Sequence, residues 1–100
     1  MFAGMKRRIL LSALALMMAT AAPAGAACYA DYKAKRDAPL QLQYGVIELP
    51  AQACSPDAAG PEISRRIAAD GWQLLAVVSV FDDSGLDQRR DAAGQYFLRY

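Results

Sequence analysis

Hydrophobic residues recur with two different periods in this chain, and the switch between them falls at Gly71. Upstream, Ala59, Ile63 and Ile67 are spaced by four, which places them on one face of a helix. Ser55 followed by Pro56 supplies an N-cap and a first-turn proline, although Gly60-Pro61 offers a later start at Glu62. Gly71 stands where a helix is commonly closed by a left-handed residue. From Trp72 the period becomes two: Trp72, Leu74, Ala76, Val78 and Val80 alternate with Gln73, Leu75, Val77, Ser79 and Phe81. Both sets are largely apolar, so this strand is predicted to lie inside a sheet with the helix covering at least one face.

The same alternation appears earlier. Leu40, Leu42, Tyr44 and Val46 alternate with Gln41, Gln43 and Gly45, and the strand runs on through Leu49 to Pro50. In residues 28–36, Cys28, Ala30, Tyr32 and Ala34 oppose Tyr29, Asp31, Lys33 and Lys35; helix competes here because Ala, Lys and Arg favour it. Arg36-Asp37-Ala38-Pro39 forms a turn between the two segments, so a hairpin is the reading consistent at every level. After Phe81 the polar stretch Asp82–Gly94 is predicted as a solvated loop, and Gln95–Tyr100 as a last strand with Tyr96, Leu98 and Tyr100 on one face. The expected fold is a small two-layer α+β domain, with four strands in β-β-α-β-β order and one helix packed on the sheet. The link from Leu49 to Trp72 is long enough for a crossover that makes its two strands parallel, and the last pair is expected to be antiparallel.

The run Ile67-Ala68-Ala69-Asp70-Gly71-Trp72-Gln73-Leu74-Leu75-Ala76-Val77-Val78, together with Tyr96-Phe97-Leu98-Arg99-Tyr100, resembles a family of small bacterial secreted or periplasmic domains of unknown function. In that family a helix ends in a Gly-Trp-Glu-Leu-Val-like turn and a later strand carries a Tyr-Phe-x-Arg pattern. Gln73 stands where the family commonly has Glu. The resemblance implies a fold and no activity.

The N-terminus changes the picture of compartment. Lys6, Arg7 and Arg8 precede an apolar run from Ile9 to Ala22, too short for the about 20 residues that span a bilayer and suited to a signal-peptide core. Ala24-Gly25-Ala26 supplies a small-x-small cleavage site, with Ala22-Pro23-Ala24 as the alternative. Residues 1–26 are therefore expected to be a signal peptide and 27–100 the domain, periplasmic or secreted, with no stable membrane insertion after cleavage. Lipidation at Cys28 wants Leu where Gly25 stands, and twin-arginine export wants Ser or Thr where Lys6 stands.

Export also changes the charge. Of the eleven Lys and Arg, Lys6, Arg7 and Arg8 leave with the signal, so eight face ten Asp and Glu, a net charge of −2. That balance lacks the electrostatic footprint of a nucleic-acid binder. Cys28 and Cys54 both remain, and an even pair in an oxidising compartment forms a disulfide. Closing that loop stabilises by roughly 3.5 kcal/mol on chain-entropy grounds. A redox or metal role has less support, because the spacing is not C-x-x-C and the chain has no His.

Candidate chemistry is sparse. Without His, with its cysteines paired and with no Ser in nucleophile spacing, the chain offers an enzyme only scattered acids such as Glu48, Asp82 and Asp83. Asp82, Asp83, Gly85 and Asp87 faintly suggest a calcium loop but lack the closing Glu of an EF-hand, so no metal or other cofactor is expected. Arg89 and Arg90 could hold a carboxylate or a small anionic ligand, or simply pair with Asp87 and Asp91. With Tyr96 and Tyr100 they are the candidate partner-binding residues. The expected function is a non-catalytic binding or protein-interaction module of the cell envelope; the alternative is a structural or accessory subunit that associates through an edge strand.

Overall fold

Three strands and two helices make up residues 27–100, the part of the chain that the computed structural model describes. Strand β1 (Cys28–Arg36) and β2 (Gln41–Leu49) form the hairpin, α1 (Pro56–Ile67) follows, then β3 (Gln73–Phe81) and a short α2 (Asp87–Ala93). The sheet order is β2-β1-β3, and both pairings are antiparallel. The expected signal peptide, residues 1–26, lies outside the described residues.

The hairpin pairs Cys28 with Leu49 and Arg36 with Gln41, joined by a turn that contains the cis Ala38–Pro39 bond. On one face Ala30, Tyr32, Ala34 and Ile47 are buried against Ile63 and Ile67 of α1, with Trp72 beside them. Alanine at 30 and 34 lets the helix approach closely, and glycine at 45 makes room for the Tyr32 ring: a Cβ there would sit 2.6 Å from Tyr32 Cζ. Tyr32 donates its hydroxyl hydrogen to Gln43 Oε1.

Ser55 caps α1 by accepting from the Ala58 backbone N–H at 3.1 Å, with Pro56 at the first helical position. Pro61 does not delay the helix but lies within it. After a single 3-10 turn at Ala68–Asp70, Gly71 closes the helix with φ +81°, the left-handed conformation glycine adopts without a Cβ penalty. The disulfide joins Cys28, at the open end of the hairpin, to Cys54, with Cα atoms 5.9 Å apart.

Three expectations are corrected. First, the apolar strand is not internal: β3 is an edge strand none of whose residues is buried, and the charged β1 is the central one. Strands β2 and β3 do run in the same direction, but β1 separates them. Second, there is no fourth strand among the described residues. Gln95 and Tyr96 lie in a 3-10 turn, and the C-terminal segment meets β2 only at one parallel bridge between Val46 and Phe97, where Leu98 N–H donates to the Val46 carbonyl at 2.8 Å. Third, residues 82–94 are not a plain loop: Asp83–Gly85 form a helical turn and α2 follows, packing on the second face of the sheet through Arg89. The order is thus β-β-α-β-α, with a helix against each face.

Two bulges explain why the alternation of β3 misleads. The pairing with β1 slips between Asp31 and Tyr32 and again between Lys33 and Ala34, so Val78 and Leu75 have no partner residue. Each slip resets the strand's faces. Leu74, Val77 and Val80, three apart rather than two, therefore pack on the core.

Candidate interaction surface

The most concentrated polar chemistry lies on the α2 side of the sheet. Asp31, only 4% exposed at the middle of β1, accepts from Ser79 Oγ at 2.6 Å, Tyr44 Oη at 2.8 Å and Arg89 Nε at 3.0 Å. Arg89 also donates to the Gly85 carbonyl at 2.7 Å, and its guanidinium lies 3.9 Å from the Phe81 ring centroid. Burial pushes the Asp31 carboxyl up, but the hydrogen bonds from Ser79, Tyr44 and Arg89 outweigh it and hold the group below its ordinary value. Burial, then the Asp31 carboxylate it donates to, pushes the Tyr44 phenol up to about 12. A carboxylate saturated by three donors and an arginine already committed on three sides form a fastening between β1, β2, β3 and α2.

The four residues expected to bind a partner do not share one environment. Arg89 is taken up by that fastening. Arg90 is exposed, pairs with Asp87 at 3.3 Å and lies 4.4 Å from the Phe97 ring centroid. Tyr96 sets its ring edge to face with Trp72, centroids 5.7 Å apart, and Tyr100 donates to Asp70 Oδ2 at 2.8 Å. Arg66 anchors the end of the chain, donating to the Tyr100 carbonyl at 2.6 Å and the Glu48 carbonyl at 2.7 Å. Of the five tyrosines Tyr32 is buried and the other four are half-buried.

Asp82, considered for calcium, caps the following turn instead, accepting from Ser84 N–H at 3.0 Å and Ser84 Oγ at 2.6 Å. Among the described residues no three His, Cys, Asp or Glu stand close enough to hold a metal ion, and no helix is long and apolar enough to cross a membrane.

What α2 leaves uncovered is apolar. Leu42 on β2, 71% exposed, and Leu75 on β3, 51% exposed, line an open cavity of about 290 Å³ with Lys33 and Tyr44. Val78 is 49% exposed, and Gln73 and Ala76 are exposed beside it. From Gln73 to Phe81 there is no charged residue and no proline. Among the described residues no strand pairs with the outer edge of β3. Natural edge strands usually carry lysine, proline or an inward charge that discourages pairing; here the bulges are the one such device, and they leave Leu75 and Val78 in solvent. This surface was hidden in the sequence because the same apolar run signals a buried strand equally well.

Comparison with family models, with curated proteins and with solved structures finds no match.

Proposed function

We propose that this chain is an exported, non-catalytic protein-interaction module of the cell envelope, and that β3, with the uncovered part of the sheet beside Leu42, is its contact surface. The observation that carries the reading is a nine-residue edge strand, uncharged throughout, whose Leu75 and Val78 face water although the domain has a core for such side chains. Exposed apolar surface of this kind marks interaction sites in soluble domains. Export is supported by the signal-like pattern of residues 1–26 and by the Cys28–Cys54 disulfide, which suits an oxidising compartment. The resemblance carried by Gly71-Trp72 and Tyr96-Phe97 fits the same setting. Interaction is favoured over catalysis because the best polar cluster, around Asp31, is spent internally. A permanent accessory subunit would use the same surface.

The test is photo-crosslinking in intact expressing cells. A photoreactive residue at position 75 should give a discrete polypeptide adduct in the envelope fraction, and one at Ser64, exposed on α1, should not. Equal labelling from both positions, or none from either, contradicts the proposal.

A further inference from the structure

We infer that the open cavity on the α2 side of the sheet binds a single-chain anionic amphiphile, a fatty carboxylate, with its head on Lys33 and its apolar body between Leu42 and Leu75. The cavity adjoins the proposed contact surface, but the inference stands on separate observations, the charge of the cavity and its place on the face of the sheet. Strand β1 sets Asp31, Lys33 and Lys35 on the face away from α1. Asp31 is neutralised by Arg89 at 3.0 Å, and Lys35 by Asp37 at 3.6 Å. Lys33, between them on the central strand, makes no ion pair among the described residues, and its cross-strand partners are the uncharged Tyr44 and Ala76.

This unbalanced cation stands in an apolar wall. The cavity, about 290 Å³, is at the small end of sites that take small molecules, and no Asp or Glu lines it although residues 27–100 hold ten acids against eight Lys and Arg. Its lining draws on all three strands: Leu42 and Tyr44 on β2, Lys33 on β1 and Leu75 on β3. An occupant therefore lies across the face of the sheet, and needs no backbone pairing along the β3 edge, where the bulges oppose a further strand.

The lining also fixes the chemistry of the occupant. Leu42 and Leu75, 71% and 51% exposed, gain from an apolar body that takes them out of water. The Tyr44 hydroxyl proton and the Arg89 guanidinium are committed to Asp31, which leaves the Lys33 ammonium as the donor for a head group. A lone ammonium is a point charge that matches one monoanion, whereas the guanidinium fork is the group suited to bidentate phosphate. A fatty carboxylate joins a monoanionic head to an apolar chain.

Isothermal titration calorimetry tests this with decanoate, below its aggregation concentration, and the full protein purified from expressing cells. One decanoate should bind per chain with a dissociation constant below about 1 mM. Decyltrimethylammonium, with the opposite head, should bind at least about tenfold more weakly. Lys33→Glu should weaken decanoate binding by at least about tenfold and Lys33→Arg should retain it, both with an unchanged circular dichroism spectrum because the side chain is exposed. Absence of saturable decanoate binding, equal affinity for the two heads, or unchanged affinity in Lys33→Glu each overturns the inference. Those outcomes leave the polypeptide contact of β3 standing, since crosslinking at position 75 reads it separately.

Discussion

Arg89, on a helix of only seven residues, reaches across 58 positions of sequence to Asp31 in the middle of the sheet, Nε to Oδ2 at 3.0 Å. The pair ties the last helix to the central strand. Removing either partner leaves the other charged and largely out of water. We predict that Arg89→Ala lowers stability by about 3–5 kcal/mol. Asp31→Ala should cost a comparable amount, because it also orphans Ser79 and Tyr44. Urea unfolding of both single variants and of the double variant checks this: the double should cost clearly less than the two singles combined.

The same cluster sets a pH response. The folded Asp31 carboxyl lies below its unfolded value near 3.8, so the stability it contributes is full above that value and is lost as pH falls through the lower folded value. Tyr44 has the opposite sense: raised from 10.0 to about 12, it contributes stability below pH 10 that disappears as pH climbs toward 12. Asp31→Asn should flatten the acid limb of the urea midpoint plotted against pH, and Tyr44→Phe should remove one late-titrating phenol, near pH 12, from the tyrosinate absorbance.

Cys28 and Cys54 close a loop of 26 positions around the hairpin and the approach to α1. The double replacement Cys28→Ser, Cys54→Ser should destabilise by roughly 3 kcal/mol, chiefly by freeing the unfolded chain. Thiol titration of the denatured protein, purified from expressing cells without reductant, should find no free thiol.

Gly45 lies opposite Tyr32 in the hairpin, under the ring. Because that ring is packed beneath α1 and cannot swing away, Gly45→Ala should cost about 1–3 kcal/mol through overpacking. Gly60 precedes Pro61 inside α1, where a Cβ would crowd the proline ring, so the helix-propensity gain of Gly60→Ala is offset and the variant should change stability by less than about 1 kcal/mol. Thermal melts should therefore show a clear fall for Gly45→Ala and little change for Gly60→Ala.

The elements most legible in the sequence were those whose signal is local. Ser55-Pro56 and Gly71 mark the two ends of the α1 region through capping chemistry that needs no partner, and Ile63 and Ile67 name its buried face. Strand β1 is ambiguous in the sequence because its Ala, Lys and Arg residues also favour helix; burial of Asp31 depends on Arg89, far away in sequence. The strand β3 was misplaced for the converse reason. Its hydrophobicity signals burial, whereas the bulges at Leu75 and Val78 that expose those side chains depend on pairing with β1. At the C-terminus, Tyr96 and Tyr100 alternate as in a strand, but their rings are held by Trp72 and Asp70 and the backbone pairs with β2 at a single bridge. The candidate surface was invisible for the same reason as the edge: nothing local distinguishes an apolar strand that is covered from one that waits for a partner.

The central claim is that β3 is the strand through which the domain joins another polypeptide. Amide hydrogen exchange compares the isolated domain with the assembly it forms, whether with itself or with a second protein. Exchange should slow chiefly in residues 73–81, with α1 (Pro56–Ile67) on the other face of the sheet little changed. Protection gained on α1 or along β2, with residues 73–81 exchanging as before, would contradict it.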